Sequence, residues 1–372
     1  MKEFKNKFSK LLSFCPRAFF VTFIIAFSAL LLNLAFLLST GFSDFYNRYI
    51  GSAVRIVLAK ITGIYPASLA ESVLITMPLW LIALICMIIK VSRDGIRSMV
   101  RFTAVLLSVL LSFYSIFVLG FASGYNGSSV EAKLGIDRHD VSADELSTTA
   151  LILKDKINSL TDSIKFGYQS FSYMPYSISE MNDKLISAYS GLSEKYDFIP
   201  DFSSRVKKIM LSEPMTYTHI SGVYTYFTGE ANININFPDY TLPFTAAHEL
   251  AHQRGISRED EANFIAFLAC AESDDPYIQY SGYLGVYEYV ISALYQASPD
   301  MYREIAAELD IKARYEMAAY NDFFEKYRKN VVATVSEKVN DTYLQIQGQK
   351  EGTKSYGRVV DLAVAYYEDE GR

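Results

Sequence analysis

The sequence predicts an α+β protein in which a membrane region of three transmembrane helices precedes a mainly helical domain with a small sheet. Apolar residues recur at helical spacing over most of the second half, and one short segment alternates apolar and polar residues. Three further stretches are apolar and uncharged, and each is long enough to cross a bilayer: residues 18–38, 72–89 and 102–122. The membrane region therefore occupies residues 1–124 and the second domain residues 125–372.

Composition agrees with a protein that contacts a lipid bilayer. The chain is 51% hydrophobic, and its mean hydropathy of +0.12 is high for a soluble protein. The net charge of −6 gives no reason to expect a nucleic-acid partner. Three cysteines are too few for a disulfide framework, and they are Cys15, Cys86 and Cys270.

Basic residues on either side of the apolar stretches predict the orientation. The N-terminal segment contains Lys2, Lys5, Lys7, Lys10 and Arg17, and the link between the second and third spans contains Lys90, Arg93, Arg97 and Arg101. The positive-inside rule places both in the cytoplasm, so three spans leave the second domain extracytoplasmic. The first stretch is too long for a cleaved signal peptide, and two more spans follow it. The loop between the first two spans is also basic, and its residues 51–61 could form an amphipathic helix along the membrane surface.

The second domain reads mainly as helices, with strand only in its middle. Ser142 and Glu145 form a capping-box pattern, and helices are predicted within residues 140–195, 201–210, 280–346 and 356–367. From Met215 the composition changes to β-branched and aromatic residues, which indicates strand. The segment ANININF then alternates, with one face formed by Ile233, Ile235 and Phe237.

The stretch HELAH contains two of the four histidines in the chain. His248 and His252 are four residues apart, so on a helix both imidazoles lie on one face and can point at one metal ion. Glu249 would sit beside the ion, where it can accept a proton from the attacking water. Pro243 suits the first turn of such a helix, and Gly255 suits the position just past its end. This is the HExxH arrangement of zinc peptidases.

A zinc site needs a third protein ligand and an open position. A histidine six residues after His252 would complete one common pattern, but that residue is Arg258. The next helix is predicted to begin at Ser257 as N-cap. On it Glu261 shares an apolar stripe with Phe264, Ile265 and Leu268, where a carboxylate is costly unless a charge meets it. Glu261 is therefore the predicted third ligand, and Glu259 and Asp260 from the same turn remain alternatives.

These residues also resemble a known class of enzymes. HELAHQRG followed by EDEANFIAFLA is similar to the gluzincins, and the second piece resembles the third-ligand helix of antitoxin-degrading and radiation-response metallopeptidases. Together with YSGYL at residues 280–284, it resembles a bacterial family that joins three membrane spans to one zinc-peptidase domain. The resemblance implies a zincin-like fold for residues 125–372 and Zn²⁺ as the cofactor. Gluzincins often carry an Asp four residues after the ligand Glu as a partner for a His, whereas this chain has Ile265 at that position.

The predicted function is that of a membrane-anchored zinc metallopeptidase, with His248, His252 and Glu261 as metal ligands and Glu249 as general base. Its partners would be a protein or peptide substrate and the bilayer. Two alternatives stay open. One is a non-catalytic membrane sensor or scaffold that keeps the zinc fold, and the other is a zinc hydrolase acting on a non-peptide bond of the cell envelope.

Other residues are weaker candidates. A tyrosine or histidine often stabilises the oxyanion in metallopeptidases, and Tyr280, Tyr283, Tyr287 and His219 are candidates for this role. His139 has no predicted role, and Glu230 has no explanation at the level of sequence. In zincins the strand before the HExxH helix often pairs with substrate, so ANININF is either such an edge or a plain half-buried strand.

Overall fold

The structure is a computed structural model that describes residues 12–328, 330–349 and 357–370. Lys2, Lys5, Lys7 and Lys10, which contribute to the predicted orientation, lie outside the described residues, as does Tyr356 at the start of the predicted last helix. The described chain is mostly helical and has one three-stranded sheet. The predicted combination of apolar N-terminal helices, further helices and a small sheet is confirmed.

Three helices are long and apolar enough to cross a membrane. They are α1 (Arg17–Leu38), α4 (Leu69–Arg93) and α5 (Ile96–Phe117), and α5 continues through a π-helical turn (Val118–Ala122) into α6 (Ser123–Asn126). The first two helices contain the predicted stretches 18–38 and 72–89, and the third stretch, 102–122, extends over α5 and the π-helical turn that follows it. Many of their large apolar side chains are exposed, including Phe23, Ile24 and Leu79. Lipid tails would cover such surfaces, and the three helices therefore fit a membrane protein.

The segment between the first two of these helices folds against the second domain. It consists of α2 (Thr40–Phe45), a π-helical turn (Tyr46–Gly51) and α3 (Ser52–Thr62). The helix predicted for residues 51–61 is confirmed as α3. Its exposed face carries Val57 and Ile61, whereas Arg55 is 1% exposed and faces inward. The inward guanidinium is unusual for an amphipathic helix, and its partners lie in the candidate site.

The second domain is built from eleven further helices among the described residues. They are α7 (Val130–Leu134), α8 (Ala143–Leu160), α9 (Ile178–Lys195), α10 (Ser212–Thr216), α11 (Thr241–Gln253), α12 (Glu259–Glu272), α13 (Pro276–Ala297), α14 (Pro299–Glu308), α15 (Ile311–Arg328), α16 (Val331–Ile346) and α17 (Val359–Glu370). Ser142 and Glu145 form the predicted capping box at the start of α8, and His139 bonds the same glutamate. The helix predicted for residues 201–210 is wrong, because this segment is extended and enters the sheet.

The sheet has the strand order β1-β3-β2, with β1 (Lys207–Lys208), β2 (Gly222–Thr225) and β3 (Glu230–Ile233). β3 pairs parallel to β1 and antiparallel to β2, with Gly222 opposite Ile233. The predicted alternation of a buried and an exposed face in ANININF is wrong, because β3 ends at Ile233 with all four of its residues buried, whereas Ile235 is exposed. After β3 the side chain of Asn234 is buried and donates hydrogen bonds to Thr216 and to the carbonyl of Ile220. β3 is thus the central strand, and β2 is the edge strand on the side of α11.

Helix α12 lies in the centre of the second domain. It packs between α11 and α13, and every residue from Glu259 to Cys270 is buried. Around it are apolar side chains of α8, α9 and α17, including Leu153, Leu185 and Val364. A helix buried on all sides must satisfy each of its polar groups internally.

The first turn of α4 is tied to the sheet by two carboxylates. Glu230 accepts hydrogen bonds from the backbone N–H groups of Leu69 and Ala70, each 3.1 Å long, and pairs with Lys207 at 2.6 Å. Glu71 accepts bonds from the backbone N–H groups of Met210 and Leu211. Glu230 therefore caps the helix that contains the second apolar stretch, where a negative charge is favourable. This accounts for a residue that the sequence left unexplained.

Candidate metal centre

Helix α11 presents both histidines of the HELAH stretch on one face. The ring centroids of His248 and His252 are 4.6 Å apart and their planes are nearly perpendicular. The helix ends as predicted at Gly255, which has a left-handed φ of +92°. A Cβ at this position would overlap the guanidinium of Arg55. The glycine thus ends the helix and leaves room for a side chain from α3.

A carboxylate from α12 completes the cluster, and it belongs to Glu259. Its Oε2 lies 3.2 Å from Nε2 of His248 and 3.3 Å from Nε2 of His252. One ligand atom from each of the three residues lies within 4.8 Å of the other two, and all three residues are buried. The structure therefore brings together His248, His252 and Glu259.

Glu261, the predicted third ligand, does not face the histidines. It accepts a hydrogen bond from Arg258 at 2.7 Å and one from the backbone N–H of Val130 at 3.1 Å. The sequence predicts Glu261 as the ligand because it lies among apolar residues. That reason fails because α12 is buried on every side, so all of the carboxylates in its first turn have apolar surroundings. The charge that Glu261 needs comes from Arg258 rather than from a metal. Asp260, the other alternative, pairs with Arg138 at 3.0 Å.

The start of α12 also differs from its prediction. Ser257 does not cap the helix, because its hydroxyl donates to the carbonyl of Phe121, and Arg258 takes the N-cap position. The helix then begins at Glu259, whose carboxylate lies in the first turn. Four residues after Glu259 comes Asn263, which hydrogen-bonds the Tyr289 side chain. The position four residues after Glu259 therefore holds an Asn that bonds a tyrosine, and not the Asp that gluzincins often carry there.

The donor set suits a small tetrahedral cation. Atoms bound roughly 2.0–2.1 Å from such an ion lie roughly 3.3 Å apart, close to the 3.2 and 3.3 Å separations between Glu259 and the two histidines. Nδ1 of His252 lies 2.7 Å from the carbonyl oxygen of Ile256. A carbonyl only accepts, so Nδ1 carries a proton, and Nε2 is the ring nitrogen that faces Glu259 and would bind a metal ion. Metal-binding histidines are commonly oriented in this way.

Glu249 lies beside the cluster, against strand β2. A Cβ built on Gly222 would come within 2.5 Å of Glu249 Oε1, so the strand backbone packs directly on this carboxylate. Its other oxygen, Oε2, is buried and has no hydrogen-bond partner among the described residues. Burial raises the Glu249 pKa to about 7, against the opposing effect of the two histidines. An orphaned buried oxygen calls for an explanation, and a bound water would supply one.

In the absence of an ion, the charges of the cluster strongly shift the pKa values of His252 and Glu259. Burial by itself would lower the pKa of His252, but the adjacent Glu259 carboxylate outweighs it and raises that pKa to about 9. Burial would likewise raise the pKa of Glu259, yet the imidazoles of His252 and His248 hold it well below its usual range. Without a cation between them, these residues form a buried ion pair.

The cluster opens into a cavity of about 810 Å³ between α11, α13 and α15. His219 lines it with a left-handed φ of +63°, and its Nε2 lies 2.7 Å from the carbonyl of Tyr327. Tyr280, Tyr283 and Tyr287, predicted as oxyanion candidates, do not line the cavity; the Tyr280 hydroxyl donates to Glu316 instead. The tyrosine of α13 that does line it is Tyr289, with Glu288 beside it. Neither Tyr289 nor Glu288 could be predicted, because nothing local in the sequence distinguishes one of 28 tyrosines or one acidic residue among 41.

The end of the third apolar helix packs against the cluster. The Phe121 ring centroid lies 6.0 Å from that of His252, and Tyr224 of β2 contacts both rings. The guanidinium of Arg55 donates to the carbonyl of Gly120 at 2.7 Å. The candidate site is therefore supported by residues from both regions of the chain.

Comparison with known proteins gives a family but no function. Neither the curated proteins nor the solved structures contain a match to this chain. A family model described as "Protein of unknown function (DUF3810)" matches residues 46–364, which covers both the second and third apolar helices and the metal-ligand cluster. The chain accordingly belongs to the DUF3810 family.

Proposed function

We propose that this protein is a membrane-anchored zinc metallopeptidase that hydrolyses peptide bonds. The observation that supports the proposal most strongly is the convergence of His248, His252 and Glu259 on one point, with Glu249 adjacent. Two imidazoles and one carboxylate are the ligand set of many catalytic zinc sites, which keep a further position for water or substrate. Bound zinc would supply a Lewis acid that polarises the scissile carbonyl and activates a water.

Glu249 is the proton carrier in this mechanism. Its orphaned Oε2 can accept the proton of the attacking water, and the same oxygen can then deliver it to the nitrogen of the leaving amine as the C–N bond breaks. Burial favours the first step, because a carboxylate removed from water is a stronger base than an exposed one. A site used only for structure has no need of this group.

Strand β2 is the proposed place for the substrate backbone. It pairs with β3 on one side and has no strand on its other side within the described parts of the chain. It also runs beside Glu249, since Gly222 packs on that carboxylate. An extended peptide that adds to this edge would bring its carbonyl to the metal through main-chain hydrogen bonds, which require no particular sequence.

The proposed location is the cell membrane, with the N-terminus in the cytoplasm and residues 125–372 outside it. The support is the four basic residues at positions 90–101 and the basic residues of the N-terminal segment, which the positive-inside rule places in the cytoplasm. Cysteine labelling tests the orientation in intact cells. Cys15, Cys86 and Cys270 are replaced by Ser, and a new exposed Cys is introduced at Glu304 of α14. Labelling by a membrane-impermeant maleimide supports the orientation, and labelling only after lysis contradicts it.

The activity is tested with the full-length protein in detergent. Zinc content is measured first, and the wild type and the Glu249→Gln variant are then incubated with membrane and cell-wall protein extracts, with new N-termini mapped by mass spectrometry. Zinc in both proteins and new N-termini only with wild type support a peptidase. Zinc in both without any new N-termini contradicts it and favours a sensor, a scaffold or a hydrolase of non-peptide bonds.

A further inference from the structure

The cavity beside the metal centre is lined by acidic and neutral residues. Its charged lining residues are Glu249, Glu288 and Glu337, and two histidines, His219 and His248, also reach it. No lysine or arginine of the described chain lines it. A ligand held here therefore meets carboxylates and neutral groups, which favours a positively charged ligand over a negatively charged one.

Glu288 lies deep on the cavity face of α13. Ser281, Gly285, Glu288 and Ser292 follow one another at helical spacing along this face. Oε1 of Glu288 accepts a hydrogen bond from the Tyr240 hydroxyl at 3.2 Å. No lysine, arginine or histidine among the described residues forms an ion pair with it. By contrast, the nearby buried Glu316 is fully occupied by Ser172 and Tyr280.

Aromatic rings surround this carboxylate. Tyr320 and Phe324 of α15 stack with their centroids 5.8 Å apart, and Tyr240 meets Tyr320 edge to face at 6.1 Å. Phe244 and Tyr289 complete the lining near Glu288. Aromatic faces attract ammonium and guanidinium groups, and a carboxylate within an aromatic enclosure strengthens that attraction. The aliphatic stem of a long basic side chain would also pack well against these rings.

We infer that Glu288 is a specificity-determining residue, which binds a lysine or arginine side chain of a peptide substrate held at the metal centre. The inference rests on the proposed function for the statement that the ligand is a substrate. Binding of a cation in this pocket depends only on Glu288, on the aromatic rings around it and on the cavity that contains them. The expected gain from a charge-assisted hydrogen bond is about tenfold or more in affinity.

Binding to the full-length Glu249→Gln protein, loaded with zinc, tests the pocket without requiring turnover. Fluorescent peptides of equal length carry lysine, arginine or uncharged norleucine at each position in turn, and anisotropy gives their affinities. At one position the basic peptides are expected to bind at least about tenfold more tightly than the norleucine peptide. Adding Glu288→Gln should remove this difference, because the amide keeps an acceptor for Tyr240 but carries no charge.

Two further variants distinguish loss of the Glu288 charge from a folding defect in Glu288→Gln. Ser292→Lys places an ammonium group one helical turn after Glu288, at an exposed position, where it would pair with Glu288 and also remove the preference. Glu304→Gln removes an exposed charge of α14 outside the cavity and should leave the preference unchanged. Zinc content and melting temperature are compared across all variants.

The possible outcomes distinguish failure of the proposed cation-binding pocket from failure of the proposed peptidase activity. Equal binding of lysine and norleucine peptides, or a preference that survives both Glu288→Gln and Ser292→Lys, overturns the inference. A preference that both variants remove, together with a wild type that cleaves no peptide, supports the pocket and contradicts the peptidase. Cleavage by the wild type without any preference for basic residues supports the peptidase and contradicts the pocket.

Discussion

The side-chain amide of Asn47 donates a hydrogen bond to the carbonyl oxygen of Gly255, 3.0 Å away, although 208 positions separate the two residues. Asn47 belongs to the segment between the first two apolar helices, and Gly255 ends the helix that carries the candidate ligands. Arg55 strengthens the same junction by donating to the carbonyls of Asn47, Gly120 and Arg254. A cation at the C-terminal end of α11 also interacts favourably with the helix dipole. The apolar helices are thus part of the scaffold of the site.

Replacing Arg55 with Ala should destabilise the protein and weaken metal binding together. The change leaves several carbonyl oxygens buried without a donor, at a cost on the order of 3 kcal/mol in unfolding free energy. Thermal unfolding of the full-length protein in detergent, with and without zinc, measures the effect. Arg48→Ala is the matched control, because Arg48 pairs with Asp197 at the surface and such pairs contribute about 0–1 kcal/mol. Equal melting temperatures for the two variants would contradict this role for Arg55.

The identity of the third ligand is tested by a pair of glutamate variants. Glu259→Gln should lower zinc affinity by at least about tenfold, because the amide is a much weaker ligand than the carboxylate between His248 and His252. Glu261→Gln should lose stability, since Arg258 loses the carboxylate with which it forms an ion pair, but the folded protein should keep one zinc per chain. Zinc content is read by atomic emission on the monodisperse fraction. Loss of zinc from the second variant alone would restore Glu261 as the ligand.

The general base is tested by Glu249→Gln. The variant should bind zinc as the wild type does, because no ligand changes, and peptide hydrolysis should fall by roughly 10²- to 10⁴-fold, the usual contribution of such a group. Zinc stoichiometry and turnover of a mixed peptide library are measured on the same preparation. Turnover within a factor of two of wild type, with zinc bound, would contradict the assignment.

The sequence was sufficient where a local pattern determines the structure. The histidine spacing, Gly255 at the end of α11 and the capping box of Ser142 depend on residues within one or two turns, and the structure confirms them. The three apolar stretches were likewise predicted, because length and lack of charge decide whether a helix can cross a bilayer.

The sequence was insufficient where burial on several sides decides the outcome. Glu259 and Glu261 lie in the same turn of α12, and only the position of Arg258 and Val130 shows which of them is already occupied. The roles of Glu230 and Arg55 were not predictable either, because each binds a backbone group more than 60 residues away in the chain, the N–H of Leu69 and the carbonyl of Gly120 respectively. In the same way Glu288 has no motif, and its significance comes from the cavity that it lines.

Strand β2 should control catalysis through its contact with Glu249. In Gly222→Ala the added Cβ would lie 2.5 Å from Glu249 Oε1 and 2.8 Å from Cγ2 of Thr245, so the carboxylate must move. A displacement of this size should reduce kcat by at least about tenfold while zinc stays bound. Gly41→Ala is the control, because a Cβ there meets nothing within 4 Å. A Gly222→Ala enzyme with wild-type kcat would show that β2 does not position Glu249.

The preference for a basic side chain should depend on pH through Glu288. Burial, with a further contribution from Glu316 and against the Tyr240 hydrogen bond, raises the Glu288 pKa to about 7. Below that pH the carboxyl group is protonated and neutral, so the ratio of lysine-peptide to norleucine-peptide affinity should be near one at pH 5.5 and should rise through about pH 7 to a plateau. The ratio cancels ionisations that affect both peptides alike. Tyr289, Tyr320, His219 and Glu337 also line the cavity, and the variant without the Glu288 carboxylate separates any effect of theirs from that of Glu288. The measurement uses zinc-loaded Glu249→Gln protein at each pH, and adding Glu288→Gln should make the ratio flat. A ratio that falls as pH rises, or one that still rises in the double variant, would assign the titration to another group.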